Sequence, residues 1–380
     1  MQQEIKTTKE SNFELLRIVS MFSIVLWHVI IHGKVLENSS NTLYYLLQII
    51  LFILITHVNS FLMITGYFQY DKKFSIKKIL KIVLQLWFYN FIIYSIFHFF
   101  NIIKLDMITF CFKASFFNTS SSYWFITNYI ILYLISPFLN KIILNTNKKQ
   151  HIQLIMVLSL IYFISPIFTL GKFIYNDGYN IQQFIIFYFI GSFISKYKTD
   201  NKIFNNINLI QKRIIYISII LFCVLFNFCF FNTMTYLYNN ISHFKTITGY
   251  FGSDYYNYYI YSNIIVVIQT ITLFMLFQTF KFSSKVVNTV SRTTFGIYLI
   301  HEHEFIKKYI YKLLKIDLGI KYTNLNVIFK CIYVSVIIFL ACAIIERIRI
   351  LLLEDRKWYK KLVNKIGDFL EKVFEINCKG

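Results

Sequence analysis

Proline is nearly absent from this chain, and charged residues are few. Only 2 of the 380 residues are proline, so long uninterrupted helices are compatible with the sequence. Charged residues amount to 15% and hydrophobic residues to 57%, which excludes an ordinary soluble domain and is typical of an integral membrane protein. We therefore expect an all-α, polytopic membrane protein.

The cysteines form no CxxC pair, and the first apolar stretch lacks a signal-peptide cleavage site. Most of the six cysteines lie in apolar segments, where they are expected to act as small hydrophobic side chains. No small-x-small site follows the first apolar stretch, so no cleavable signal peptide is predicted. The abundance of Ile, Lys, Asn, Phe and Tyr suggests a low-GC bacterium, and therefore a bacterial plasma membrane.

Acidic residues are outnumbered by basic residues, at 18 against 39, which gives a net charge of +21. A nucleic-acid partner would be one explanation of this excess. The basic residues lie between apolar segments, however, so positive-inside loops explain them better and no nucleic acid is expected. Ten apolar segments are predicted to span the membrane. They cover approximately residues 12–32, 43–68, 79–100, 123–144, 152–170, 181–197, 213–232, 257–280, 293–311 and 325–346.

The distribution of basic residues orients these ten segments. With the N-terminus in the cytoplasm, 28 of the 39 Lys and Arg residues fall on the cytoplasmic side, and both termini are then cytoplasmic. The chain divides into a transmembrane domain at 1–346 and a basic cytoplasmic tail at 347–380. Apolar residues at helical spacing predict an amphipathic interfacial helix in this tail, at Trp358, Leu362, Ile366, Leu370 and Phe374.

The first span, SNFELLRIVSMFSIVLWHVIIH at 11–32, contains ionisable residues that a lipid-facing helix does not need. Arg17 and His28 lie on nearly the same helical face, about 16 Å apart along the axis. Glu14 lies on that face one turn before Arg17. Ionisable groups inside a span are costly and point to a function. The alternative is that Arg17 and His28 only extend to the two membrane interfaces.

A basic run opens the third span, and an aromatic pair opens the fourth. Lys77, Lys78 and Lys81 share a surface on the cytoplasmic side, where they either anchor the span or hold the phosphates of a nucleotide-bearing donor. Tyr123 and Trp124 lie at the outer interface, where they either form part of an aromatic belt or stack on a sugar. Both groups are candidate binding surfaces.

The ninth segment contains the run SRTTFGIYLIHEHEF at 291–305. Its Tyr298 and His301 are about one turn apart on one face of a helix. The HEHE run at 301–304 resembles a metal-binding tract. On a helix, however, His301 and His303 would point about 200° apart, and the HExxH pattern is absent. No metal site is therefore expected.

Several histidines fall near the outer ends of predicted spans, namely His28, His32, His98, His301 and His303. Together with the cytoplasmic lysines, they suit a reaction between a cytosolic donor and an outward-facing acceptor. A histidine is a candidate general base for a hydroxyl group. Glu302 or Glu304 is the candidate group that orients this base.

In their order along the chain, these motifs resemble those of the acyltransferase-3 family of membrane acyltransferases. The resemblance rests on Glu14, on Arg17-x10-His28 and on four later motifs, which are FLMITGYF at 61–68, Lys78-x-x-Lys81, YWF at 123–125 and TFGIYLIH at 294–301. It covers about residues 11–346. Lys-x-x-Lys stands where the family usually has Arg-x-x-Arg, and lysine cannot form a two-pronged contact with phosphate.

The resemblance implies transfer of an acyl group, usually acetyl from acetyl-CoA, to a hydroxyl of a surface polysaccharide or lipid-linked glycan. It implies that His28 is the catalytic base and that Arg17 is essential, and Glu14 is the expected partner of Arg17. Lys78 and Lys81 are implied to lie on the CoA side. Acyl-CoA would be a substrate, and no permanently bound cofactor is expected.

We expect CoA to dock at the cytoplasmic face and to extend its pantetheine arm toward the catalytic histidine. We expect Trp124, Tyr298 and His301, on the outer side of the membrane, to be the candidate residues for binding the acceptor. Two other functions fit the same features. A transporter or flippase of lipid-linked sugars would move glycan without consuming acetyl-CoA. A structural partner of a polysaccharide synthase would not need Arg17 or His28.

Overall fold

A computed structural model describes residues 10–102, 123–165, 178–198, 207–241, 260–316 and 320–373. Helices form nearly all of the regular structure within these ranges, and an isolated bridge joins Ser39 and Tyr322. The expected all-α class is therefore confirmed for the described part of the chain.

Fourteen α-helices follow one another along the described residues. They are α1 (Asn12–His32), α2 (Asn41–Leu54), α3 (His57–Gln69), α4 (Ile76–Phe99), α5 (Trp124–Asn145), α6 (Lys148–Ser159), α7 (Ile181–Lys196), α8 (Leu209–Asn240), α9 (Ile264–Gln278), α10 (Lys285–Ser291), α11 (Thr294–His301), α12 (Glu304–Leu313), α13 (Asn326–Arg349) and α14 (Lys357–Val373). Short π-helical turns continue α6 and α13, at Leu160–Ile164 and Ile350–Glu354.

Six helical segments of the described chain are long and apolar enough to cross a membrane. They are Asn12–His32, Asn41–Gln69, Ile76–Phe99, Trp124–Asn145, Leu209–Asn240 and Asn326–Glu354. Two shorter apolar helices, α7 and α9, coincide with the predicted sixth and eighth spans. The protein therefore has several membrane-spanning helices. The full set of ten spans and the cytoplasmic termini stay predictions.

The predicted second and ninth spans are each divided into two helices. The second is broken between Leu54 and His57, where α2 ends and α3 begins. The ninth, predicted as one span over 293–311, consists of α11 and α12 with a break after His301. His303 caps the N-terminus of the second of these helices, since its Nδ1 accepts a hydrogen bond from the backbone N–H of Phe305 at 3.4 Å.

The chain separates into two compact units. The first comprises Met1–Trp27, Ser40–Phe68 and Thr146–Arg292. Within it, α8 packs against α2 and α9, and α6 packs against α7. The second unit comprises His28–Ser39, Gln69–Asn145 and Thr293–Gly380. Within it, α11 packs against α4 and α13, while α14 packs against α4.

In the first unit, a buried polar cluster accompanies the break between α2 and α3. The Nδ1 of His57 donates to the carbonyl of Leu54 at 2.6 Å, and its Nε2 lies 3.2 Å from the Tyr261 hydroxyl. Gln183 donates to Asn59 Oδ1 and to the Tyr261 carbonyl, both at 2.9 Å. These bonds satisfy polar groups that would be costly to leave unpaired at the break.

Two glycines bring α3 and α7 into backbone contact in the same unit. A Cβ added at Gly66 would overlap the carbonyl oxygen of Tyr188. A Cβ added at Gly191 would overlap the carbonyl oxygen of Met63. Small residues of this kind allow close helix approach in membranes.

The second unit contains a buried ion pair in α13. Arg349 binds Glu346 through two hydrogen bonds of 2.8 Å, and both side chains are almost fully buried. Tyr89 and Gln85 of α4 donate to the same carboxylate at 2.5 and 3.0 Å. Gly296 of α11 lies against this carboxylate so closely that a Cβ there would overlap it. The network therefore joins three helices of this unit.

Candidate active site

His28 lies one turn before the C-terminal end of α1 and contacts residues of the HEHE run. Its side chain is 16% exposed. Its Nδ1 atom is 3.1 Å from Nε2 of His301 and 2.9 Å from Oε1 of Glu302. The chain thus brings together two of the sequence-predicted residues, His28 and His301, which are 273 positions apart.

The hydrogen-bond partners assign the protons on these two rings. Nδ1 of His301 lies 2.6 Å from the carbonyl oxygen of Ile297, which can only accept, so this nitrogen carries the proton. In the neutral ring, Nε2 of His301 then accepts from Nδ1–H of His28. The remaining nitrogen, Nε2 of His28, keeps its lone pair. This atom can accept a proton from a substrate.

Glu302 is the acidic neighbour of this histidine pair. The residue is 4% exposed, and its Oε2 accepts from Nζ of Lys307 at 3.0 Å. Its Oε1 lies 2.9 Å from Nδ1 of His28, within ion-pair distance, and has no geometrically good hydrogen bond among the described residues. The carboxylate is therefore close enough to stabilise a positive charge on His28.

Glu304, the other acidic candidate, serves a different cluster. Tyr94 donates to its Oε1 at 2.5 Å, and the His303 ring packs edge-on against Tyr94 with centroids 5.1 Å apart. The helix break after His301 separates the two histidines of the HEHE run, so only His301 reaches His28. Sequence spacing left the choice between Glu302 and Glu304 open.

His32 is a further member of the site to which the sequence assigned no role. It lies one turn after His28, with ring centroids 4.8 Å apart, and its Nε2 is 3.8 Å from Oε1 of Glu302. The ligand atoms of His28, His32 and Glu302 fall within 4.8 Å of one another, which is compatible with a metal ion. Lys307 already balances the carboxylate, and the expectation of no metal stays a prediction. The i, i+4 spacing to His28 is the signal that identifies His32.

The candidate acceptor residues form a line of rings next to this cluster. The buried ring of Tyr298 lies edge-on to His301 at 6.3 Å. Phe125 contacts Tyr298 at 6.1 Å and Trp124 at 5.9 Å. Trp124 therefore connects to His301 through two intervening aromatic rings.

Arg17 and Glu14 lie in the first unit and form the pair expected from their spacing. Nη1 of Arg17 is 2.6 Å from Oε1 of Glu14, and Oε2 of the same carboxylate accepts from the Ser291 hydroxyl. The arginine side chain is 29% exposed and faces a cavity of about 400 Å³. The cavity is lined by Glu10, Asn12, Phe13, Glu14, Arg17, Tyr67, Phe68 and Lys198. Lys198 is a cation that sequence analysis did not select.

The lysines at the start of α4 have separate surroundings in the second unit. Lys78 donates to Oε1 of Gln69 at 3.0 Å and lies 5.6 Å above the ring of Tyr133. Lys77 pairs with Asp368 of α14 at 2.7 Å. Lys81 is exposed.

The fold and the site define a multi-helix membrane protein with a buried histidine–histidine–glutamate cluster. The family model described as an acyltransferase domain matches residues 10–346. The chain therefore belongs to the acyltransferase-3 family, as the ordered motifs predicted, and it is a membrane acyltransferase. Comparison with curated proteins and with solved structures gave no match.

Replacing Glu302 by glutamine is expected to lower kcat by on the order of tenfold or more, which corresponds to roughly 1.4 kcal/mol of transition-state stabilisation. The amide keeps the shape of the side chain but removes the charge that faces His28. Steady-state rates of the purified variant measure the effect. Glu304→Gln is the matched control, because Glu304 binds Tyr94 instead. Equal losses in the two variants would contradict a special role for Glu302.

Proposed function

We propose that the protein is a membrane O-acyltransferase. It moves an acetyl or other small acyl group from cytosolic acyl-CoA to a hydroxyl of a cell-surface polysaccharide or lipid-linked glycan. The observation that carries this proposal is the unprotonated Nε2 of His28, which is fixed by the hydrogen-bond chain through His301 to Ile297. The family membership supports the acyl-transfer chemistry.

His28 acts as a general base in the proposed reaction. Its Nε2 removes the proton of the acceptor hydroxyl while the hydroxyl oxygen attacks the thioester carbonyl. The C–S bond then breaks, and the imidazolium returns the proton to the leaving CoA thiolate. The nearby carboxylate of Glu302 stabilises the imidazolium between these two steps, and Lys307 holds that carboxylate in place.

The donor is proposed to be recognised by cations near the ends of the helices. Arg17 and Lys198 line one cavity, where Arg17 supplies a planar guanidinium that suits phosphate oxygens. In the second unit, Lys78 and Lys81 are the separate candidates for binding the phosphates of CoA. Lysine acts there as a point charge, since it lacks the fork of arginine.

The acceptor is proposed to bind next to the histidine cluster. A sugar ring presents an apolar face that packs well on aromatic side chains, and Trp124 is partly exposed at the start of α5. Tyr298 and His301 are proposed to shape the neighbouring wall. Membrane lipids of a bacterial plasma membrane would surround the protein in this function.

The proposal is tested with purified protein in proteoliposomes, supplied with radiolabelled acetyl-CoA and candidate glycans. We expect label to enter the glycan with release of one CoA per acetyl group, and alkali to remove the label as it would from an ester. Movement of glycan without release of CoA would support a transporter instead. Membranes that lack the protein provide the background rate.

A further inference from the structure

One face of helix α14 packs against its own unit, and most of its other side chains are exposed with respect to the described residues. Tyr359, Val363 and Gly367 are buried against α4. A Cβ at Gly367 would overlap the side chain of Lys77, and Lys77 also pairs with Asp368. The helix is therefore held on α4 by close packing and by an ion pair.

A second face of α14 is apolar and exposed. Trp358, Leu362, Phe369 and Val373 are 56%, 42%, 64% and 56% exposed. At about 100° per residue, these four side chains fall within a sector of about 60°. They form a stripe along the whole helix, which we call the apolar stripe.

Lysines border the apolar stripe on the side away from α4. Lys361, Lys365 and Lys372 are exposed and lie within about 60° of the edge of the stripe. The acidic Asp368 is already paired with Lys77. The exposed side of α14 therefore combines an apolar surface with an excess of positive charge.

The chain connections keep α14 next to the membrane surface. The candidate span Asn326–Glu354 ends only two residues before α14 begins at Lys357. The partner helix α4 is itself a candidate span that starts at Ile76, beside the contact with Lys77. An amphipathic helix that is tethered at these two places lies at the level of the lipid headgroups.

We propose that the apolar stripe of α14 binds an anionic lipid surface. The four apolar side chains would enter the boundary between headgroups and acyl chains, and the bordering lysines would contact negatively charged headgroups. The charge of the helix favours anionic lipid over a neutral bilayer or a basic partner. This proposal does not depend on the acyl-transfer reaction.

The first test places a photoreactive benzoyl-phenylalanine at Phe369 of the full chain, in nanodiscs with equal amounts of phosphatidylcholine and phosphatidylglycerol. Asn364, which is exposed on the opposite side of α14, receives the same group as the matched control. We expect several-fold more lipid cross-linking from position 369 than from 364. Equal yields, or cross-linking from 369 only to protein, would overturn the proposal.

The second test measures the preference for anionic lipid in the same nanodiscs. In the 369 variant, Lys365→Gln is expected to lower the ratio of phosphatidylglycerol to phosphatidylcholine adducts by up to about fivefold. Lys360→Gln removes the same charge on a face that points away from the stripe, so the ratio should stay unchanged. The same ratio in both variants would show that the lysines do not select anionic lipid, and would refute that part of the proposal.

Discussion

Replacing His28 by alanine is expected to lower the rate of acyl transfer by about 10²- to 10⁴-fold, the range for loss of a general base. The substitution removes Nε2 of His28, the unprotonated nitrogen of the His28–His301 pair that does not accept a hydrogen bond from the other ring. Release of CoA by purified protein in proteoliposomes gives the rate, both with and without acceptor.

The matched control for this experiment is His98→Ala. His98 is an exposed histidine near the end of α4, so the same substitution there should leave the rate close to wild type. Size-exclusion profiles and thermal unfolding show whether both variants remain folded. A His28→Ala protein that is folded and transfers acetyl at a near wild-type rate would refute the proposed mechanism.

The largest stability effect is expected for Arg349→Met. This substitution leaves the carboxylate of Glu346, which is 1% exposed, without its cationic partner. Breaking a buried ion pair on one side costs about 3–5 kcal/mol. Thermal unfolding of the protein in detergent should show a correspondingly lower midpoint than wild type.

The double variant Glu346→Met/Arg349→Met is the control for the Arg349→Met experiment. Two apolar side chains of similar volume remove the fully buried charges, although Tyr89 and Gln85 lose an acceptor. Glu354, which is partly buried, loses its 2.8 Å contact with Arg349 in both variants, so this loss cancels in the comparison. The double variant should therefore be more stable than the single one. If the double variant is less stable, the cost comes from packing or from those two hydrogen bonds, and the account of the ion pair is wrong.

The sequence predicted the helical class and the family because both depend on local patterns. Long apolar runs mark helices wherever they pack, and the family model matches the chain across residues 10–346. The Glu14–Arg17 pair also follows from helical spacing alone. His28 and His301 were selected for their chemistry, and the structure shows that they meet.

Contacts between distant segments could not be predicted in the same way. The pairing of His28 with His301 joins positions 273 apart, and the choice of Glu302 over Glu304 depends on a helix break after His301. That break sets the directions of the Glu302 and Glu304 side chains, and a continuous helix would place them differently. The other break, before His57, depends on hydrogen bonds to Leu54 and to Tyr261.

The lysines of α4 illustrate the same limit. Helical spacing in the sequence places Lys77 and Lys78 on one surface. In the structure, their partners belong to different segments of the second unit. Lys77 is paired with Asp368 of α14, whereas Lys78 donates to Gln69. The two lysines look alike in the sequence, but their tertiary contacts differ. Lys77 holds α14 on α4, whereas Lys78 binds the end of α3.

The glycine contacts between α3 and α7 fix the register of the two helices. Gly66 lies against the carbonyl of Tyr188, and Gly191 lies against the carbonyl of Met63. A shift of either helix by one residue would bring a side chain against one of these oxygens. The two helices therefore cannot slide along each other without separating first. Any motion of this pair during a catalytic cycle should then be a rigid-body tilt.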